Sequence, residues 1–230
     1  MPVWRNWFTR TTQNRVSLAR VGSSPTTGTN LVLSDKSIIW NREVLSYLIG
    51  VSLGDGNLSK LNNRSVRLRI FCDAKYPKLI NKIKSKLEYI LPLNKVNISK
   101  ARNNCITISS YSNLWEGILE WKSGYGTKYD QSVRVPKWIW SQDRYVISCL
   151  EGLLETDGTI YYDRGYPMVM FISICEGLSY DVDQMFKWLG FESRIYSFVP
   201  KTKYNSKKLY HVRLSKNVKV FLNTVHPIKA

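Results

Sequence analysis

The first strongly patterned segment of the chain is 42–54, where apolar residues recur with the period of an α-helix. A helix there has two apolar stripes, one through Leu45 and Leu48 and one through Tyr47 and Val51. A helix on the surface of a soluble protein usually has one such stripe. Two stripes indicate a helix that is buried between two partners.

A second pattern, with a period of two, begins at residue 65. Leu68 and Ile70 fall on one face of the predicted strand, and Arg67 and Arg69 fall on the other. This alternation predicts a half-buried strand. We therefore expect a sheet with an apolar face packed on helices and a basic face turned outward.

The helical pattern occurs twice, because residues 42–56 align without a gap on residues 144–158, and seven of the fifteen positions are identical. Matching strands and a second amphipathic helix follow each segment. Each copy is predicted to run helix, two strands, helix, two strands, helix. The predicted divisions are a flexible tail at 1–30, a first lobe at 38–122, a linker at 123–141 and a second lobe at 142–230.

The charge of the chain favours a polyanionic partner, since 34 Lys and Arg stand against 17 Asp and Glu, a formal net charge of +17. No apolar run reaches the roughly 18 residues of a membrane span, and no secretory leader is evident. The chain has four cysteines without a CxxC pair and only two histidines, a composition that disfavours a zinc site. We expect a soluble intracellular protein with no membrane partner.

The tail has two open interpretations. Gly22–Pro25 and Trp4–Trp7 can be encoded by stretches that resemble the T-arm and the D-arm of a transfer RNA gene, in the right order. Residues 1–29 are then translated transfer RNA sequence. The alternative is an ordinary basic arm that touches DNA.

Two glycines, Gly50 and Gly152, fall in the middle of the repeated helices. A mid-helix glycine costs about 1 kcal/mol relative to alanine and is tolerated where another backbone comes close. We therefore expect the two helices to pack on each other at Gly50 and Gly152, which form the interface between the lobes.

This packing places Asp55 and Asp157 side by side at the ends of the two helices, each followed by a glycine. Gly56 and Gly158 suit the left-handed residue that often terminates a helix. Two carboxylates at helix C-termini repel each other, and a hard divalent cation offsets that repulsion. On a basic chain this arrangement favours metal-dependent phosphodiester cleavage. The plainer alternative is that each aspartate only ends a helix.

Residues 48–56 and 150–158 resemble the two signature helices of the LAGLIDADG homing endonucleases. The resemblance implies an α+β fold of two pseudo-symmetric αββαββα lobes in one chain, with sheets that form a saddle over double-stranded DNA. It also implies a monomer that cuts both strands of a long target. The final acid of each motif, Asp55 and Asp157 here, would bind catalytic Mg²⁺ or another divalent cation.

The chain departs from the family pattern in places. The sixth motif position is often acidic in the family, but it is Leu53 in the first copy and Glu155 in the second. Family members also use a basic residue near each active site. The nearest match in the first copy is Arg134, with Lys128 as second choice, and Lys229 matches in the second copy.

Basic residues on the predicted strands and hairpin tips are the candidates for contacts with phosphates and base edges. They are Lys60, Arg64, Arg67, Arg69, Lys100, Arg102, Arg164, Arg194, Lys201, Lys203, Lys207, Lys208 and Arg213.

Other functions fit the same lobes. An intron maturase that binds intron RNA, or a DNA-binding regulator, would keep the fold and lose cleavage. The presence of both aspartates favours the nuclease. An intein is disfavoured because the residues from His226 to Ala230 lack the terminal His-Asn of a splicing domain.

Overall fold

The computed structural model describes residues 38–61, 65–100, 104–200 and 207–229. The predicted tail at 1–30 lies outside these ranges. Four candidate DNA-binding residues also lie outside them: Arg64, Arg102, Lys201 and Lys203. Within the described ranges, no helix has both the length and the apolar character needed to cross a membrane.

The described chain consists of two similar sets of elements, joined by a loop and a short 3-10 helix at Lys137–Ser141. The first lobe comprises α1 (Arg42–Asp55), β1 (Gly56–Leu61), β2 (Ser65–Asp73), α2 (Pro77–Ile90), β3 (Asn97–Lys100), β4 (Cys105–Tyr111) and α3 (Trp115–Leu119). The second lobe comprises α4 (Asp143–Thr156), β5 (Gly158–Asp163), β6 (Tyr166–Ser173), α5 (Glu176–Trp188), β7 (Ser193–Phe198), β8 (Leu209–Leu214) and α6 (Val218–Val225). The predicted α+β order of αββαββα in each lobe is confirmed.

Each lobe has one four-stranded antiparallel sheet, with the order β1-β2-β4-β3 in the first and β5-β6-β8-β7 in the second. Along β2 the buried residues alternate with partly exposed ones, so Leu68 and Ile70 face the helices while Arg67 and Arg69 face outward. β6 alternates in the same way. Each sheet therefore has one apolar face in the core and one face available to a partner.

Helix α1 begins at a side-chain cap, because the Asn41 Oδ1 atom accepts hydrogen bonds from the backbone N–H groups of Glu43 (3.1 Å) and Val44 (3.2 Å). From Leu45 to Leu53 every residue of α1 is buried. The two predicted apolar stripes are both covered, one by the first lobe and one by α4.

The contact between α1 and α4 is a contact between backbones. A Cβ atom on Gly50 would collide with the carbonyl group of Cys149, and one on Gly152 would lie 2.7 Å from the backbone nitrogen of Val51. Real Cβ atoms do not approach other atoms so closely. Gly50 and Gly152 therefore allow the two helices to touch along their whole middle section.

Candidate active site

The close packing of α1 and α4 brings the ends of both helices together. Asp55 is the last residue of α1, and Asp157 directly follows α4. A Cβ atom built on Gly54 would lie 3.5 Å from the Cγ atom of Asp157, so the end of α1 is in van der Waals reach of that carboxyl group. The two carboxylates share one site between the lobes.

Gly56 and Gly158 are not left-handed helix terminators, so that expectation is wrong. Gly56 is extended, with φ −81°, and Gly158 does not have a positive φ either. The glycines are needed for space instead. A Cβ atom on Gly56 would lie 2.6 Å from Cα of Ser52, and one on Gly158 would lie 2.5 Å from Cα of Leu154, because each helix passes directly into a strand.

The shared site makes ionisation of both carboxyl groups unfavourable. Burial, and next the charge of Asp55, raise the pKa of Asp157 to about 6. Burial also raises the pKa of Asp55, while Lys128 and Lys229 act in the opposite direction. A pair of desolvated carboxylates is the arrangement that a divalent cation stabilises.

One lysine lies at the end of each motif helix. The Lys128 Nζ atom donates hydrogen bonds to the carbonyl oxygens of Leu53 (2.7 Å), Ser52 (3.3 Å) and Gly54. The Lys229 Nζ atom donates to the carbonyl oxygen of Thr156 at 2.9 Å. Both ammonium groups therefore sit at the negative ends of helix dipoles. Burial lowers the pKa of Lys128, and the charges of Asp157 and Asp55 oppose that shift.

Arg134, the first choice for the basic residue of the first active site, is engaged elsewhere. The Arg134 guanidinium forms a two-pronged ion pair with Asp181, with Nε–Oδ2 and Nη2–Oδ1 distances of 2.8 and 2.5 Å. Asp181 is only 5% exposed and therefore needs this pairing. Lys128, the second choice, is the cation beside the carboxylates. It lies in a loop, where no periodic pattern could rank it above Arg134.

Sequence reasoning did not foresee the role of Glu155, the acid at the sixth motif position. Its buried carboxylate accepts hydrogen bonds from the Tyr47 hydroxyl (2.5 Å), the Lys82 ammonium (2.8 Å) and the backbone N–H of Ile228 (2.8 Å). The last of these contacts holds the C-terminal turn, which carries Lys229. Glu155 thus connects α1, α2 and the C-terminal turn beside the two aspartates.

At Asp55 and Lys229 the site opens into a cleft of about 350 Å³, which Asp157 and Lys128 do not line. In the described part of the chain, no group of three or more His, Cys, Asp or Glu residues is arranged to hold a metal ion. Two carboxylates are nevertheless a suitable donor set for Mg²⁺, which commonly binds through one or two carboxylates plus water and substrate phosphates. Asp55 and Asp157 fit such an ion.

The outward face of the first sheet carries Arg67 and Arg69. The Arg69 Nη2 atom donates to Asn57 Oδ1 at 2.6 Å, and the Arg67 Nε atom donates to Ser59 Oγ at 3.3 Å. These contacts between neighbouring strands hold both guanidinium groups on the outward face. The Arg69 Nε atom is buried, and the other N–H groups that these contacts leave unused are donors available to a nucleic acid.

Several other candidates lie on the strands or beside them. Arg194 and Arg213 are opposite each other on β7 and β8, and Arg164 lies in the turn after β5. Lys207 lies over the ring of Tyr129, and Lys208 is exposed just before β8.

Strand register turns two candidates away from that face. Lys60 is opposite Val66, a residue of the apolar face, and its ammonium lies 3.9 Å from the carboxylate of Glu116. Lys100 is likewise opposite a residue of the apolar face, Ile106. The outward face of the first sheet therefore does not include Lys60 or Lys100.

Comparison with known proteins places this architecture in a class. Residues 144–226 match the family model of the LAGLIDADG-like domain. No curated protein matches the sequence. The chain is therefore a protein with a LAGLIDADG-like domain in its second half.

Solved structures extend the similarity over both lobes. Mesophilic variants of the homing endonuclease I-DmoI superpose with a TM-score of 0.55 at 18% identity, covering 80% of this chain and 95% of theirs. I-DmoI in complex with DNA and Ca gives 0.54 at 18% identity, with 80% and 88% covered. The N-terminal LAGLIDADG domain of DUF199/WhiA gives 0.51 at 16% identity, with 83% and 86% covered. The chain has the two-lobed LAGLIDADG fold, and the resemblance drawn from the two motifs is confirmed at that level.

Proposed function

We propose that the chain is a site-specific homing endonuclease that makes a double-strand break in a long duplex target. The observation that carries this proposal is the pair of carboxylates at the ends of two backbone-packed helices, each helix end capped by a lysine. A structural pair of helix-end residues would gain nothing from two buried, mutually repelling charges.

The DNA would lie across the outward faces of the two sheets. The chain has a formal net charge of +17, and Arg67, Arg69, Arg194 and Arg213 point away from the core. I-DmoI has the same fold and was solved with DNA bound. The cleft between the lobes would then face the backbone of the duplex.

Asp55 and Asp157 would hold the divalent cation, for which Mg²⁺ is the proposed physiological species. When bound, that cation would neutralise the scissile phosphate and lower the pKa of a coordinated water. Lys128 and Lys229 are fixed on the helix-end carbonyls, so their positive charge is already in place before substrate arrives. Such preorganised charge stabilises negative charge as it develops on phosphate oxygens.

A second candidate is a DNA-binding protein or an RNA maturase that does not cleave. The structural similarity to a domain of DUF199/WhiA shows that this fold also occurs in proteins that are not named as nucleases. Leu53 also favours this candidate, because the sixth motif position is often acidic in the endonuclease family. The two candidates differ in whether bound DNA is cut.

The test starts from a pool of duplexes with randomised inserts, enriched by rounds of binding to the protein in Ca²⁺. The enriched duplexes are then incubated with Mg²⁺ or with EDTA. We expect cutting of both strands at one position with Mg²⁺, and binding without cutting in EDTA. Binding that never leads to cutting with Mg²⁺ or Mn²⁺ would support the non-cleaving alternative, and preferential binding of RNA would support the maturase.

A further inference from the structure

The outward faces of the two sheets differ in chemistry, although the folds of the lobes match. Most side chains on the first sheet's outward face form hydrogen bonds. On β1, β2 and β4, strand register places the polar residues Asn57, Ser59, Arg67, Arg69, Thr107 and Ser109 on this face, together with two aromatic residues, Phe71 (36% exposed) and Tyr111. The first lobe is also the more basic, with 14 Lys and Arg against 6 Asp and Glu over 38–122, compared with 12 against 9 over 142–230.

The equivalent face of the second sheet is largely aromatic and sulfur-containing. Its exposed rings are those of Tyr161 (40% exposed), Tyr166 (72%), Tyr196 (46%) and Phe198 (46%). Between these rings lie Met168, Met170 and Ile172 on β6, and Leu209 and His211 on β8. A contiguous exposed patch of this kind marks a surface that is covered in the functional state.

Contacts within the patch fix its shape. The His211 ring packs against Tyr196 and Phe198, with centroid distances of 5.4 and 4.9 Å. The Tyr196 hydroxyl donates to the Met170 sulfur at 3.7 Å. Burial lowers the pKa of His211, which disfavours the charged form of its ring. The patch therefore offers mainly apolar contact. Its donors are the tyrosine hydroxyls, the His211 ring, and Arg194 and Arg213, which lie opposite each other across β7 and β8.

The chemistry of base edges shows what such a face recognises. In the major groove, adenine, guanine and cytosine present hydrogen-bond donors and acceptors, whereas thymine adds a C5-methyl group. Methionine and aromatic side chains leave the polar edges of bases without hydrogen-bond partners, but they pack well against the thymine methyl group. Arg194 and Arg213 supply the positive charge that a duplex backbone needs.

We propose that the two lobes recognise their half-sites by different chemistry: the first lobe by hydrogen bonds to base edges, and the second by apolar contact with thymine methyl groups. The inference rests on the proposed DNA-binding function and concerns how each half of the target is discriminated. It makes the second half-site rich in A·T pairs. Met170, Tyr196 and Phe198 become specificity residues.

The test uses the duplex enriched in Ca²⁺, with two chemical substitutions made separately in each half. Deoxyuracil in place of thymine removes only the methyl group, and 7-deazaguanine removes only the N7 acceptor. The enrichment is repeated with the Arg69→Gln variant. The half of the target whose enriched sequence changes is assigned to the first lobe. We expect uracil to weaken binding about fourfold per contacted thymine in the second-lobe half and less than about twofold in the other.

The 7-deazaguanine series should show the reverse, with losses of about fivefold or more per contacted guanine confined to the first-lobe half. Met170→Gln, on an exposed strand face, should abolish the uracil effect, whereas the matched first-lobe variant Ser109→Ala should retain it.

Several outcomes would overturn the inference. Specific binding with equal uracil effects in both halves, or with none, contradicts the division between lobes and leaves the proposed function intact. Tighter binding of the single strand than of the duplex would make the aromatic face a stacking surface for unpaired bases instead. If no duplex is enriched, both proposals fail. Binding without cleavage rejects the nuclease alone.

Discussion

Asp157 has a carboxyl group whose pKa is raised to about 6, chiefly by burial, against an ordinary value of 3.8. The folded protein therefore binds this proton more tightly than the unfolded chain. The linkage relation then requires that stability decreases as the pH rises from about 4 to above 6. At pH 8 the ionised group costs the fold up to about 3 kcal/mol.

We therefore expect Asp157→Asn to be more stable than the unmodified protein in EDTA at pH 8, by up to about 3 kcal/mol, because the amide carries no charge. The gain should shrink as the pH falls towards 4. Urea denaturation at several pH values measures it. Addition of Mg²⁺ should stabilise only the unmodified protein. An Asn variant that is no more stable at pH 8 would show that the site tolerates both charges.

Lys128 and Arg134 are a matched pair of cations for a test of catalysis. Lys128→Met removes the ammonium group at the end of α1, and we expect cleavage to slow by about 100-fold or more. Arg134→Gln breaks the ion pair with Asp181 and should lower stability without a comparable loss of cleavage in the remaining folded protein. Single-turnover rates and thermal denaturation separate the two effects. A larger rate loss for Arg134→Gln would reverse the assignment.

At the level of whole elements, the contact of α1 with α4 depends on two positions that lack a side chain. Gly50→Ala places a methyl group against the backbone of Cys149, which cannot move aside within a helix. We expect a loss of about 3 kcal/mol or more, or failure to fold. Asn81→Ala, at an exposed position of α2, should be close to neutral. A fully stable Gly50→Ala protein would mean that the helices do not touch here.

A second connection between elements is the ion pair of Lys82 on α2 with Glu155 on α4, at 2.8 Å. Lys82→Met leaves the buried Glu155 carboxylate without its cation and should cost about 3 kcal/mol. Glu155→Gln should cost less, because Lys82 keeps its ion pair with Glu151 at 2.7 Å. The double variant should cost less than the sum of the two. The unfolding free energies of the unmodified protein, the two single variants and the double variant form a double-mutant cycle. Strictly additive costs would argue that the two groups do not interact in the folded protein.

The helices and strands were predictable where the hydrophobic pattern was strong. The hydrogen-bond network around the site was not predictable from the sequence. The repeat at 42–56 and 144–158 predicted the paired helices, their glycine contact and the placement of Asp55 and Asp157. Lys128 was only the second choice for the basic residue, because it reaches the end of α1 from an irregular loop. The three partners of Glu155 come from α1, α2 and the C-terminal turn, and only the packed structure brings them together.

At the scale of the whole molecule, the outward basic residues predict a strong dependence of DNA binding on salt. The logarithm of the binding constant should fall with the logarithm of salt concentration by about 0.9 per phosphate neutralised. Arg67→Gln should reduce that slope by about 0.9 if its guanidinium contacts a phosphate. Lys86→Gln, on α2 away from the sheet face, should leave the slope unchanged. Equal slopes in all three proteins would remove Arg67 from the backbone contacts.

The central claim is that Asp55 and Asp157 form one metal-dependent nuclease site between the lobes. The most direct measurement compares Asp55→Asn, Asp157→Asn and the control Asp143→Asn on one enriched duplex at fixed salt, for both cleavage and gel-shift binding. We expect both site variants to bind at least as tightly as the unmodified protein while cleavage is suppressed, and Asp143→Asn to cut normally. Full double-strand cutting by both site variants would show that these carboxylates only end their helices and that the chemistry lies elsewhere.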